Sequence, residues 1–276
     1  MSLTTLTAVK TQLGIADASQ DAALAPLIRS ACAMVRAYCR RSLGGLISAV
    51  AAGNPAVVTA IAHGLQSGDV VLVGDTGVID GPQTVTKTSD DQFSVAMNVA
   101  TPATGGWYVW QRTEYYCGGG DQRIVLRETP VVAVTAVYLD PTAAFGAAAG
   151  AFAASTLLTA GVDYAVDARS GLLHRLNAVW PCLRQQAPGL LAVELLPALG
   201  NVKVIYTAGF AGGPPADLQQ AATTLACDLY RWADKGGPLR SESLDYYSYT
   251  RATPDEQARI LGSVVNSLQS YRKWVL

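Results

Sequence analysis

The stretch Pro214–Thr250, PPADLQQAATTLACDLYRWADKGGPLRSESLDYYSYT, joins a well-marked helix to an unusual tyrosine-rich segment. Pro214 and Pro215 give a fixed start, and Asp217 suits the positive N-terminal end of the helix. Leu218, Ala222, Leu225, Leu229 and Trp232 recur at helical spacing and form one apolar stripe. Gly236, Gly237 and Pro238 then stop the helix. Tyr246, Tyr247 and Tyr249 follow in a polar loop among serines, ahead of a second helix running from about Pro254 to the chain end. Rigid amphipathic rings are enriched in interfaces, so these tyrosines are candidates for burial against another molecule. The plainer alternative is that they fold back on their own core.

Working outward, the chain opens with a first helix over about Thr5–Leu13, capped by Thr4 or Thr5. A second spans about Gln20–Arg41, with Leu24, Leu27, Ile28, Ala31, Met34, Val35 and Tyr38 predicted on its buried face. Arg29, Arg36 and Arg40 form a stripe that is either solvated or faces another subunit. From about Gly44 to Trp110 the helical period vanishes. Val57–Thr59, Asp69–Val73, Gln83–Lys87 and Gln92–Val95 are the strand candidates, separated by Gly, Asn, Asp and Pro turns. Short strands in so small a space predict a compact β-barrel.

Thr113–Cys117, Arg123–Leu126, Val131–Leu139, Asp163–Val166, Gly171–Leu176, Leu191–Leu195 and Val202–Ala208 are predicted strands of a second β region, the Leu191 and Val202 segments forming a hairpin. Ala143–Ser155, AAFGAAAGAFAAS, has too much glycine among its alanines for a dependable helix and is predicted as a loop. A free loop gains nothing from Phe145 and Phe152, so they are candidates for docking on a neighbouring subunit.

Composition narrows the function classes. The chain has 276 residues, half of them hydrophobic and only 15% charged, which excludes intrinsic disorder. There is no membrane-length apolar run and no signal-like N-terminus, so a soluble protein retained in the cell that makes it is expected. A formal net charge of −1 is no footprint for nucleic-acid binding. Cys32, Cys39, Cys117, Cys182 and Cys227 are widely spaced and odd in number, as reduced structural cysteines are. His63 and His174 are the histidines, too few to complete a zinc set with these cysteines, and neither accompanies a Gly-x-Ser-x-Gly elbow. Gly118–Gly120 is not a phosphate loop, and Glu242 with Asp245 could bind a cation but is more simply a pair of common surface carboxylates. No catalytic residue, cofactor site or metal site is predicted.

The helix, Gly-Gly break, SESLDYYSYT and closing amphipathic helix resemble the C-terminal part of tailed-phage head–tail connector (neck adaptor) proteins. Ser2–Ser42, SLTTLTAVKTQLGIADASQDAALAPLIRSACAMVRAYCRRS, resembles the N-terminal helical pair of the same family, and Arg123–Asp140 and Leu158–Asp167 also match. Asn54–Val95, NPAVVTAIAHGLQSGDVVLVGDTGVIDGPQTVTKTSDDQFSV, resembles a small β-module of phage tail proteins and is similar to the first catalytic-cysteine half-domain of ubiquitin-activating enzymes. No cysteine lies between Cys39 and Cys117, so only the fold carries over from those enzymes.

The resemblance implies an α+β connector domain, 1–43 and 112–276, interrupted by an inserted β-barrel at 44–111. It implies a structural virion protein of the neck, assembled in the host cytoplasm: a homo-oligomeric ring, commonly of twelve, between portal and tail. Partners would be the portal protein, a tail or stopper/tail-terminator protein, and DNA passing through the lumen without sequence-specific binding. Portal docking would fall to the C-terminal residues Arg272, Lys273, Trp274, Val275 and Leu276. Subunit or partner contacts would fall to Tyr246, Tyr247, Tyr249, Phe145 and Phe152. The alternative is a tail-associated virion enzyme, such as a cell-wall hydrolase with a carbohydrate-binding β-module. A baseplate or tail-completion protein is a third reading.

Overall fold

The computed structural model describes residues 2–41, 43–140, 152–181, 200–234, 239–244, 247–251, 262 and 264–273. Two compact units emerge: Met1–Asp69 with Val73–Tyr108 and Gly212–Leu276, and Val70–Leu72 with Val109–Ala211.

In the first unit, α1 (Leu6–Leu13) starts at Thr5, whose hydroxyl accepts the Ala8 N–H at 3.2 Å. It ends at Gly14, which takes the left-handed conformation of a helix terminus. Helix α2 (Asp21–Cys39) buries Leu24, Ile28, Ala31, Cys32, Val35 and Cys39. Met34, predicted on that face, is instead 39% exposed, because Cys32 and Cys39 take the inward positions of the stripe. Helix α3 (Ala216–Asp234) packs on both, with Leu218, Ala222 and Leu225 buried. The Thr4 and Thr223 hydroxyls are 2.7 Å apart, joining the start of the chain to α3.

The β-rich part of this unit comprises β1 (Gly45–Leu46), β2 (Ala49–Val50), β3 (Ala56–Thr59), β5 (Gly81–Lys87), β6 (Gln92–Val95) and β7 (Ala103–Thr104). Strand β4 (Val70–Gly74) and the long strand β8 (Trp107–Tyr116) each run across the boundary between the units. The sheet order is β5-β6-β3-β2-β7, all antiparallel in the registers observed. Among the described residues no pair joins β5 to β7, so the predicted closed barrel is corrected to an open sheet. Beside it, β1 pairs with the start of β8, Gly45 opposite Tyr108 and Leu46 opposite Trp107.

The second unit holds β9 (Arg123–Val125), β10 (Val131–Leu139), β11 (Tyr164–Asp167), β12 (Leu172–Arg175) and β13 (Val202–Ala208). One sheet runs β10-β13-β8-β4 and a second runs β11-β12-β9. Alternation along β13 turns Val202, Val204, Tyr206 and Ala208 inward onto Val137, Leu173 and Trp180. Residues 154–156 form a 3-10 turn within the predicted loop; the rest of that loop up to 151, and the predicted strand at 191–195, lie outside the described residues.

Near the C-terminus, β14 (Leu239–Leu244) and β15 (Tyr247–Arg251) pair antiparallel into a two-stranded ribbon. This corrects the predicted loop: the serine–tyrosine alternation reads equally well as a strand of period two. Residues 264–268 are helical, and a 3-10 turn at Gln269–Tyr271 closes the segment. The predicted helix therefore does not reach the chain end; Arg272 leaves it with an extended backbone.

Candidate functional site

Among the described residues no group of three or more His, Cys, Asp or Glu side chains is placed to hold a metal ion. His63 is fully buried, and both ring nitrogens face backbone partners. Nδ1 accepts the Leu65 N–H at 3.0 Å, while Nε2 lies 2.8 Å from the Ser89 carbonyl and 3.2 Å from that of Gln92. Burial lowers its pKa, so the neutral ring with hydrogen on Nε2 fits these partners. His63 thus ties two turns together and has no nitrogen left to act as a base. His174 lies in β12 opposite Arg123 and Ala165. Cys32, Cys39 and Cys227 are buried free thiols, Cys117 is an exposed one, and Cys182 lies outside the described residues. Burial raises the pKa of the three buried thiols, which opposes nucleophilic use.

The polar centre of the second unit is also structural. Glu114 accepts hydrogen bonds from the hydroxyls of Tyr116 and Tyr206, the latter at 2.8 Å. Each hydroxyl in turn accepts a backbone N–H, from Arg127 at 2.9 Å and from Glu128 at 3.0 Å. Burial pushes both phenols well above the ordinary tyrosine range, so they remain protonated donors.

The assembly candidates fall in several places. Phe152 packs against Tyr115, ring centroids 5.7 Å apart, with the Lys203 ammonium 6.0 Å from its ring and 5.3 Å from that of Tyr138. Phe152 therefore meets Tyr115 on β8 and Lys203 on β13, both within its own unit. Phe145 and Tyr246 lie outside the described residues, and Tyr247 and Tyr249 sit on β15.

The C-terminal candidates are anchored at their near end. The Tyr271 hydroxyl donates to the Asp217 carboxylate at 2.8 Å, reaching the first turn of α3. The Arg272 guanidinium stacks 5.5 Å from the Tyr38 ring, and the Lys273 N–H donates to the Cys39 carbonyl at 2.8 Å. That contact serves one of the terminal carbonyls that a helix cannot satisfy internally. Trp274, Val275 and Leu276 lie outside the described residues. Sequence reasoning missed the attachment of Arg272 and Lys273 to the end of α2, a contact between segments far apart in the chain.

Residues 3–66 match the family model described as "Phage gp6-like head-tail connector protein". The match spans α1, α2 and the first three strands, less than half of the chain. No curated protein matches. Among solved structures, a chain of the "Neck of native GTA particle computed with C12 symmetry" is 19% identical, with 92% of this chain and 84% of that chain covered and a TM-score of 0.39.

Proposed function

We propose that this protein is a structural component of a phage neck, a non-enzymatic connector that forms a ring between portal and tail and lets DNA pass. The observation that carries the reading is the head–tail connector match over residues 3–66. The chemistry described above supports it: His63 is spent on turn geometry, and the buried thiols and phenols are held in their neutral forms. The family resemblance implies a ring, commonly of twelve, and one head-to-tail contact repeated about an axis would close it. The near-neutral net charge of −1 suits a conduit, since a strongly basic lumen would hold phosphates.

The architecture in this proposal is a helical connector domain with an inserted β-module. Adjacent feet support the insertion, because Leu46 and Trp107 are antiparallel partners and the Ile47 N–H donates to the Gly106 carbonyl at 2.9 Å. A chain whose two crossing points sit side by side can be closed with a short turn. The reading sharpens the insert's limits to about residues 47–106.

The ribbon β14–β15 is the proposed carrier of the subunit contact through Tyr246, Tyr247 and Tyr249. Among the described residues this sheet has two strands, a ribbon that is at best marginal in water by itself, and a neighbouring copy would complete it. The C-terminal residues 272–276 are the proposed portal anchor, held by Arg272 and Lys273 on the end of α2. Removal of residues 272–276 is expected to leave a folded protein that no longer retains the portal protein in a pull-down. Undiminished retention would overturn the anchor.

A further inference from the structure

Charge is divided unevenly along the chain. Residues 1–43 carry five cations, Lys10, Arg29, Arg36, Arg40 and Arg41, against Asp17 and Asp21. The β-module, residues 47–106, carries five aspartates against the single Lys87. Residues 107–276 hold fourteen charges of each sign, so the whole asymmetry lies between these two segments of the first unit. Part of it is met internally, where Lys10 bonds Asp21 at 2.6 Å, Lys87 bonds Asp90 at 2.8 Å and Arg29 reaches Asp91. The remainder is sorted by sign. Arg36 and Arg40 stand one turn apart and exposed on α2, and among the described residues no carboxylate pairs with either. Asp75 and Asp80 stand exposed on the turn between β4 and β5 and bond only neutral groups. Asp75 accepts the Trp107 Nε1–H at 2.6 Å, and Asp80 accepts the Thr76 hydroxyl and the Thr76 and Gly77 N–H groups. Local preference does not account for the arginines. Like charges four residues apart on a helix repel. Arg40 also closes α2 in the left-handed conformation, φ 53°, a place that Gly14 fills at the end of α1. A glycine would suit that terminus better, so what Arg40 adds is its guanidinium.

We propose that Arg36 and Arg40 of one copy receive the Asp75–Asp80 turn of a second copy, a head-to-tail contact between the helical pair and the β-module. The proposal rests on the ring reading and deepens it. A ring of identical chains needs two different surfaces that fit each other, one presented to each neighbour, and the uncompensated arginines and aspartates are two such surfaces on one chain. The Arg272 guanidinium over Tyr38 adds positive charge at the same end of α2. The planar forks of Arg36 and Arg40 suit paired contact with carboxylates. Duplex DNA would also take arginines, but it would leave the module's aspartates unmatched, whereas a second copy accounts for both halves. Exposed ion pairs contribute little affinity each, so the consequence of the contact is partner choice and register.

The test places a photoreactive benzoylphenylalanine at Ala37, exposed between the two arginines, in the full-length protein. Isotopically heavy and light copies are mixed at low salt and irradiated, and the mass of the assembly is measured in parallel. Cross-links from position 37 to residues 75–80, joining heavy to light copies, are expected. Arg36→Glu with Arg40→Glu is expected to abolish them and to weaken self-association by about tenfold or more, with helical circular dichroism unchanged. Asp75→Asn, which keeps an acceptor for Trp107, is expected to weaken it by about twofold or more. A ring that forms equally well from the Glu variant, or cross-links that fall outside residues 75–80, would overturn this contact and leave the ring reading standing. A parent that stays monomeric at every salt concentration would overturn both. Binding of a short DNA duplex that the Glu variant loses while still assembling would assign the arginines to DNA and overturn the contact.

Discussion

The inserted β-module and the sheet of the second unit are both antiparallel, yet they are held by different means. In the second unit, long strands such as β10 and β13 surround a core of Val137, Val202, Val204, Leu173 and Trp180. In the module β2 and β7 are only two residues long, and side chains and turns do the organising. A line of rings runs from His63 to Phe93, 5.3 Å apart, and on to Tyr108 at 6.1 Å, and the Tyr108 hydroxyl donates back to the His63 carbonyl at 3.2 Å. Asp80 bonds three groups of Thr76 and Gly77 to shape one turn, and Asp91 braces another. A region of long strands tolerates a weak turn; a region of short ones depends on a few ring contacts and carboxylates.

That contrast can be broken most forcefully at Phe93. Phe93→Ala empties the middle of the ring line and is expected to cost about 3–5 kcal/mol. Hydrogen exchange should show the loss in β3, β5 and β6, with β10 and β13 keeping their protection. Uniform deprotection of both regions would erase the distinction. Next, Tyr206→Phe removes one donor to Glu114 and the acceptor of the Glu128 N–H, for an expected loss of about 1–3 kcal/mol in urea unfolding. A neutral result would mean that the apolar core alone holds the second unit.

At the feet of the module, a Cβ on Gly45 would lie 2.5 Å from the Tyr108 ring. Gly45→Ala is expected to destabilise by about 1–3 kcal/mol, read as a fall in midpoint at constant urea slope. Unchanged stability would show that the β1–β8 junction yields easily.

The smallest effect concerns pH. Because burial depresses the His63 pKa in the folded state, the unfolded chain binds its proton first on acidification. The stability it contributes is therefore complete above the ordinary histidine value of 6.5 and is lost as pH falls from there toward the lower folded value. Melting temperature should decline through that window, and a flat profile would mean that His63 does not remain buried.

Legibility followed the same division. The strands at 131–139 and 202–208 were readable because long β-branched runs mark their own length. Helix α1 was equally plain, and of its two candidate caps the structure uses Thr5. Strands β1, β2 and β7 were invisible, since two residues carry no period, and the closed barrel was inferred from strand number where pairing decides. The ribbon at 239–251 was read as a loop because serines and tyrosines suggest exposure before they suggest alternation. For the candidate site, residue chemistry pointed to Phe152 and Arg272. Their partners, Tyr115 and Tyr38, depend on tertiary contacts far apart in sequence that no local pattern encodes.

The central claim is that this chain is a ring-forming neck connector, and cryo-electron microscopy of the purified full-length protein mixed with its cognate portal protein tests it most directly. A closed ring of identical subunits seated coaxially on the portal, the β14–β15 ribbon lying at the boundary between neighbours, is the predicted result. A chain that remains monomeric and leaves the portal bare would contradict it.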